Sequence, residues 1–244
     1  MRPTTRVTQP FVDAWNWAGG LYDARSENVK LKRELEQARA TNVTLQQALD
    51  DNAQLQKLLK FTQNSQVASQ YPYVGATVIT QPGNAYSQTI TLNVGSSAGI
   101  AVNDPVVAPA GDSTVFAGLV GRVSAVTGSA CHVELLLDPD YAASARVLTT
   151  TVRGIVLPNS SDPGVLALQG VSQDEAVKTG GVVVTAGIQS RQGLQSLLPP
   201  GIPIGQITSV SQSDLTATSK TIQVTPFVDL QSLDHVLVLK VHGG

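Results

Sequence analysis

Residues 21–61 read LYDARSENVKLKRELEQARATNVTLQQALDDNAQLQKLLKF, and from Leu21 to Gln70 there is neither proline nor glycine. The rest of the chain is rich in both. Residues 21–60 also hold thirteen of the 34 charged side chains, whereas 71–244 hold eighteen. The chain therefore has a helical front and a turn-rich back. With Leu21 at heptad position a, the a residues are Leu21, Asn28, Leu35, Asn42, Leu49 and Gln56. The d residues are Ala24, Leu31, Ala38, Leu45, Asn52 and Leu59. Eight of these twelve are apolar, a narrow stripe that suits a coiled coil better than a helix in a globular core. Leu31, Leu35, Leu45 and Leu49 are expected to hold a dimer, and Asn28 and Asn42 to fix its register. The alternative is a lone amphipathic helix lying along its own domain. After Asn52 the leucine spacing drifts, as in a stutter near a domain boundary.

The whole chain has 244 residues and a formal net charge of −2. That balance argues against nucleic acid as a partner, because phosphate binding wants a basic face. One cysteine, Cys131, allows no internal disulfide and no thiolate zinc site. Three scattered histidines make no convincing metal centre, and no glycine-rich phosphate loop appears, so no cofactor is expected. No run of about 18 apolar residues occurs that could cross a membrane. Phe11, Trp15, Trp17 and Tyr22 gather before the helix, where aromatics mark a membrane interface or pack on a partner helix. Residues 1–20 are taken as a membrane-proximal segment and 21–70 as the coiled-coil helix.

From Tyr73 on, short β-branched or alternating runs are separated by turns such as Pro82-Gly83-Asn84, Asn103-Asp104-Pro105 and Asp138-Pro139-Asp140. About twelve strands follow at sandwich or barrel spacing, with no helical pattern between them. A weak repeat is present. Gly118-Leu-Val-Gly-Arg-Val123 and Gly201-Ile-Pro-Ile-Gly-Gln-Ile207 each follow a valine-rich strand and precede a strand ending near proline. Two small barrels explain it best. The second copy looks short of strands, so residues 71–92 and 171–244 are assigned to a first, discontinuous barrel and 93–170 to a second.

Chemistry is hard to find in this chain. Gly111-Asp112-Ser113 suggests the nucleophile turn of chymotrypsin-like proteases, but Thr114 and Val115 replace the following glycines and no histidine precedes Ser113. A serine without a base is a poor nucleophile. Asp138 and Asp140 read as turn-shaping residues rather than a carboxylate pair. Cys131 and His132, adjacent on a strand, should point to opposite faces. Phe116 and Tyr141 are candidate partner-binding residues, because aromatics are scarce here and favour binding hot spots. Core packing is the competing role.

The order of several motifs is informative. Leu55-Gln-Lys-Leu-Leu-Lys-Phe61 precedes Tyr73-Val-Gly-Ala-Thr-Val-Ile79 and Ile90-Thr-Leu-Asn-Val-Gly-Ser-Ser-Ala-Gly-Ile100. Then come Gly118–Val123, Leu135-Leu-Leu-Asp-Pro139, Gly180-Gly-Val-Val-Val-Thr185 and Leu198-Pro-Pro-Gly-Ile-Pro-Ile-Gly205. In this order and spacing the chain resembles the MreC family of bacterial rod-shape-determining proteins over about Pro10 to Leu239. The resemblance implies a mainly β fold with an N-terminal coiled coil, and two small barrels like the chymotrypsin-like fold without its triad. It implies a non-enzymatic, membrane-anchored scaffold of cell elongation, periplasmic or extracellular in this region. Its implied partners are further copies of itself (a homodimer and filaments), a class B penicillin-binding protein transpeptidase, MreD and, indirectly, MreB. It also implies a membrane span just before Val7–Pro10, missing from this sequence. The rival class is a periplasmic adaptor of an export or efflux system, whose coiled coil returns through a second helix. Only one helical arm is legible here.

Overall fold

The computed structural model describes residues 9–64, 70–82, 88–111, 117–187, 198–211 and 219–241. One helix, α1 (Gln9–Asn64), precedes twelve strands. The chain divides into two units, Met1–Ala53 and Gln54–Gly244, so the last turns of α1 belong with the β region. The helix begins at Gln9 rather than Leu21, and residues 9–20 are not a separate segment. Pro10 is tolerated in a first turn, where its missing N–H is not needed. Gly19-Gly20 lies inside the helix. Each glycine costs a helix only about 1 kcal/mol relative to alanine, too little to break so long a run.

The strands are β1 (Tyr73–Thr80), β2 (Thr89–Leu92), β3 (Pro105–Pro109), β4 (Ala117–Val126), β5 (Cys131–Leu135) and β6 (Ala143–Val147). They continue as β7 (Arg153–Pro158), β8 (Leu166–Ser172), β9 (Val182–Thr185), β10 (Pro203–Ser211), β11 (Ser219–Pro226) and β12 (His235–Leu239). They form two closed six-stranded antiparallel barrels. The first has the order β1-β12-β3-β4-β5-β2, the second β10-β11-β8-β7-β6-β9. Closure removes free sheet edges. Alternating side chains fill the interiors: Ile90, Leu92, Val133 and Leu135 in the first, Leu166, Leu168, Ile222 and Val224 in the second, all fully buried.

The expected allocation of segments to barrels is corrected. Residues 93–135 belong with 73–92, and 171–226 belong with 143–170. Strands β7 and β8 supply what the second repeat seemed to lack. They take the places that β1 and β2 take in the first barrel, so Tyr73–Leu92 is not needed to complete the C-terminal repeat.

The two repeats correspond strand for strand in order and pairing. Each barrel consists of five consecutive strands, β1–β5 or β7–β11, and a sixth from elsewhere. The sixth strand of the first barrel is β12, paired with β1 and β3; that of the second is β6, paired with β7 and β9. In chain order β6 follows β5, and β12 follows β11. Each repeat has thus given its last strand to the other barrel. The matching bulges support this alignment. The β4–β5 ladder shifts register between Val123 and Ala125, and the β10–β11 ladder between Ile207 and Ser209. In both, a glycine stands two residues before the shift, Gly121 or Gly205, and packs directly on a backbone carbonyl of the next strand.

Candidate interaction surfaces

The leucine stripe is exposed within the single chain. Leu31, Leu35, Leu45 and Leu49 are 58%, 51%, 57% and 69% accessible, with Asn28 and Asn42 exposed on the same helix. Four leucines more than half exposed on one helix form an apolar surface of the kind that a partner helix covers. Phe11, Trp15, Trp17 and Tyr22 lie on α1, but their side chains are outside the described residues.

Tyr141 is not at a surface. It is fully buried where the chain passes from β5 to β6. The Arg122 guanidinium lies 5.5 Å from its ring centroid, and Arg122 Nε donates to Glu134 Oε2 at 2.8 Å. Burial pushes the phenol well above its usual range, only partly offset by the Arg122 charge. Its hydroxyl has no protein partner among the described residues. Tyr141 therefore packs as core, with a cation on its face, and its role as an exposed partner-binding residue is withdrawn. The scarcity of aromatics was a poor guide, because one ring is what fills the passage between barrels. Phe116 and Ser113 lie outside the described residues.

The other polar candidates have structural tasks. Asp138 accepts hydrogen bonds from the Gln88 and Asp140 backbone N–H groups at 2.9 and 3.1 Å, shaping the turn after β5. Asp104, fully buried, accepts from the N–H of Ala101 and of Val241, both at 2.9 Å. It ties the end of the chain to the start of β3. Cys131 faces the core while His132 is exposed, its Nδ1 3.1 Å from Thr91 Oγ1. Burial, helped by the Asp104 charge, pushes the Cys131 thiol up to about 11 from an ordinary value of 9.0. At pH 8 its thiolate fraction should be about a hundredfold below that of a free cysteine. Alkylation of the native protein with iodoacetamide is expected to be slow by at least that factor, and to become fast in denaturant. Fast native alkylation would contradict the burial.

Sequence reasoning missed one feature. A cleft of about 330 Å³ lies at one end of the first barrel, lined by Gln54 and Leu58 of α1 and by the segment Phe227–His235. Leu58, Val228 and Leu233 are buried beneath it. The Gln54 side-chain amide donates to Asp234 Oδ2 at 2.8 Å. Nothing local in the sequence marks it, since its walls come from segments about 180 residues apart. Among the described residues no cluster of His, Cys, Asp or Glu could hold a metal ion.

A leucine-striped helical arm leading into two strand-exchanged six-stranded barrels defines a helix-armed double-barrel protein. The family model described as "Rod shape-determining protein MreC, barrel core" matches residues 78–240, and the chain belongs to the MreC family. It is 29% identical to the cell shape-determining protein MreC of Listeria monocytogenes, over 90% of this chain and 70% of that protein. It is 28% identical to that of Escherichia coli, over 87% of this chain but 53% of the relative, so it spans about half of that protein's length. A solved Listeria MreC structure matches with a TM-score of 0.59 and 28% identity, covering 89% of this chain and 98% of that one. A complex between penicillin-binding protein PBP2 and MreC of Helicobacter pylori contains a chain with the same fold, with a TM-score of 0.50 and 15% identity, covering 69% of this chain and 98% of that one.

Proposed function

We propose that this chain is the extracytoplasmic part of a membrane-anchored, non-enzymatic scaffold that maintains rod shape by pairing with itself and organising peptidoglycan-synthesis enzymes. The observation that carries the reading is the exposed stripe of Leu31, Leu35, Leu45 and Leu49. The helix has 56 residues, about 84 Å at 1.5 Å per residue, long enough for several heptads of pairing. Pairing doubles the barrels presented per assembly. It raises their effective concentration for partners held in the same bilayer.

A class B penicillin-binding protein is the proposed enzyme partner, by analogy with the Helicobacter complex. MreD, and MreB indirectly, are proposed from the family alone. Anchoring is proposed through a segment ahead of the helix, with the Phe11–Tyr22 aromatics at the interface. Among the described residues no helix is long and apolar enough to cross a membrane.

Depleting the protein in its source bacterium should round the cells, and this chain fused to a membrane span should restore their width. The same fusion carrying Leu35→Asp and Leu45→Asp should fail to restore it. In sedimentation at high salt the purified variant should be monomeric where the wild type is dimeric. Unchanged cell shape on depletion would sink the scaffold reading. A dimeric double variant would sink the leucine seam.

A further inference from the structure

The β6–β7 hairpin of the second barrel is charged with one sign only. No Asp or Glu occurs between Asp140 and Asp162, and Arg146 and Arg153 are the charged residues of that stretch. They stand directly opposite each other across the ladder. The next pair is hydrogen-bonded, with the Val147 N–H donating to the Val152 carbonyl at 3.0 Å. Arg146 and Arg153 are therefore a non-hydrogen-bonded pair, the kind whose side chains come closest. Both point out of the barrel, since their neighbours Ala145, Val147 and Val152 are buried. Like charges so placed repel and weaken a sheet. Among the described residues Arg146 donates to the Leu148 carbonyl at 3.4 Å, and neither guanidinium has a carboxylate partner. Lys178 adds an exposed cation nearby, because its carbonyl and the Val147 side chain both border Gly181.

Apolar side chains flank this charge on both sides. Leu148 stands beyond the pair at the turn, and Ile155 lies behind it on the same outward face; they are 44% and 49% accessible. The turn is firmly built. Thr150 donates to the Val147 carbonyl from its N–H at 3.2 Å and its hydroxyl at 3.4 Å, and the Val152 N–H donates to Thr150 Oγ1 at 3.2 Å. Little ordering is then lost when the face docks. An uncompensated arginine pair calls for phosphate or carboxylate. The face is the outside of a closed barrel, a surface for a broad partner. The aliphatic flanks decide which anion fits. A dissolved anion would leave Leu148 and Ile155 in water. An anionic bilayer takes guanidiniums on its phosphates and aliphatic side chains at the acyl boundary just beneath.

We propose that the outer face of the β6–β7 hairpin docks on an anionic lipid surface, with Arg146 and Arg153 on lipid phosphates and Leu148 and Ile155 at the edge of the acyl region. The choice of lipid as the source of the anion rests on the membrane-anchored reading above. The contact itself uses none of the residues of the helical seam. Two arginines and two aliphatic side chains make a weak, reversible contact. Weak is sufficient for a chain held at the same bilayer, where tethering raises the effective concentration of the surface.

The test uses the chain without an added membrane span, on vesicles, so it is read separately from the cell-shape experiment. Failure here with cell width restored there overturns this contact alone. Thr149→Cys, carrying an environment-sensitive fluorophore at the turn, should shift to the blue and be quenched by nitroxide lipids on vesicles of equal phosphatidylglycerol and phosphatidylcholine. Cys131 is buried and should escape the label. A label at Gly128→Cys, exposed on the first barrel, should stay unquenched. Arg146→Gln with Arg153→Gln should lower the partitioning of the labelled turn at least tenfold, since each arginine near an anionic surface brings roughly a fivefold factor. Arg146→Lys with Arg153→Lys should keep most of it. Leu148→Ser with Ile155→Ser should abolish the blue shift. Added salt should weaken the contact, and inorganic phosphate at matched ionic strength should not compete beyond that. The proposal is overturned if the Gln pair partitions like the wild type, if purely zwitterionic vesicles quench the turn equally, or if phosphate itself competes. Arginine-dependent binding of polyglutamate without quenching by vesicles overturns it as well, by assigning the face to an acidic protein.

Discussion

Gly121→Ala is expected to destabilise the first barrel by about 3 kcal/mol, the upper end of the ordinary overpacking range. A Cβ at Gly121 would collide with the Glu134 carbonyl oxygen and sit 2.9 Å from its carbon and 3.0 Å from Leu135 Cα. These are backbone atoms of the adjoining strand, so no rotamer change relieves the clash. The ladder between β4 and β5 must open instead, at the bulge that lets β4 coil around the barrel. For a chain of this size about 3 kcal/mol corresponds to a fall in Tm of roughly 6–12 °C. Gly205→Ala should behave alike in the second barrel, where the Thr225 carbonyl takes the place of Glu134. Gly128→Ala is the control: nothing lies within 4 Å of its added Cβ, and its melting should stay near that of the wild type. Thermal melts followed by circular dichroism decide the matter. A Gly121→Ala protein that melts with the wild type would remove the close-approach account of the repeat.

Ending the chain after Asp234 should have a larger effect, and a localised one. It deletes β12, whose Val236, Leu237, Val238 and Leu239 are all 4% exposed or less. At about 1.5–3 kcal/mol per buried aliphatic side chain the loss is roughly 6–12 kcal/mol, as much as the whole stability of an ordinary domain. It also removes the ladders to β1 and β3, the Lys240 N–H donating to Pro72 O, and the Val241 N–H donating to Asp104. Hydrogen exchange is the suitable readout. Amides of β1–β5 should lose protection, while those of β6–β11 keep it, because the second barrel is continuous from Ala143 to Pro226. Equal loss in both barrels would mean that they fold as one cooperative unit.

The strands themselves were legible, because β-branched alternation and Gly, Pro and Asp turns are local signals. About twelve were expected and twelve are present among the described residues. Which strand lies beside which was not legible. Alternation tells a residue which face it occupies, not whose neighbour it is, and β1 pairs with a strand about 160 residues away. The likeness of Gly118–Val123 to Gly201–Ile207 pointed to a duplication. It could not show that β6 and β12 had changed places, so Thr221–Pro226 was placed in the wrong barrel. The leucine heptads of α1 were readable for the same reason as the strands, since a stripe is a short-range pattern. Tyr141 misled because residue type was used where position mattered. The Asp229–Asp234 cleft lies in an irregular segment whose shape depends on Gln54, far back in the chain.

The exchanged strands also set a timetable. As the chain emerges from its N-terminus, β1–β5 are complete once Leu135 is out, yet the first barrel then lacks its sixth strand. That strand arrives only with Leu239, about a hundred residues later. The second barrel can shut as soon as Pro226 is free. The earlier-made barrel is therefore the later to finish. Until then the β1 and β3 edges, which β12 will join, stand open to any other strand that reaches them.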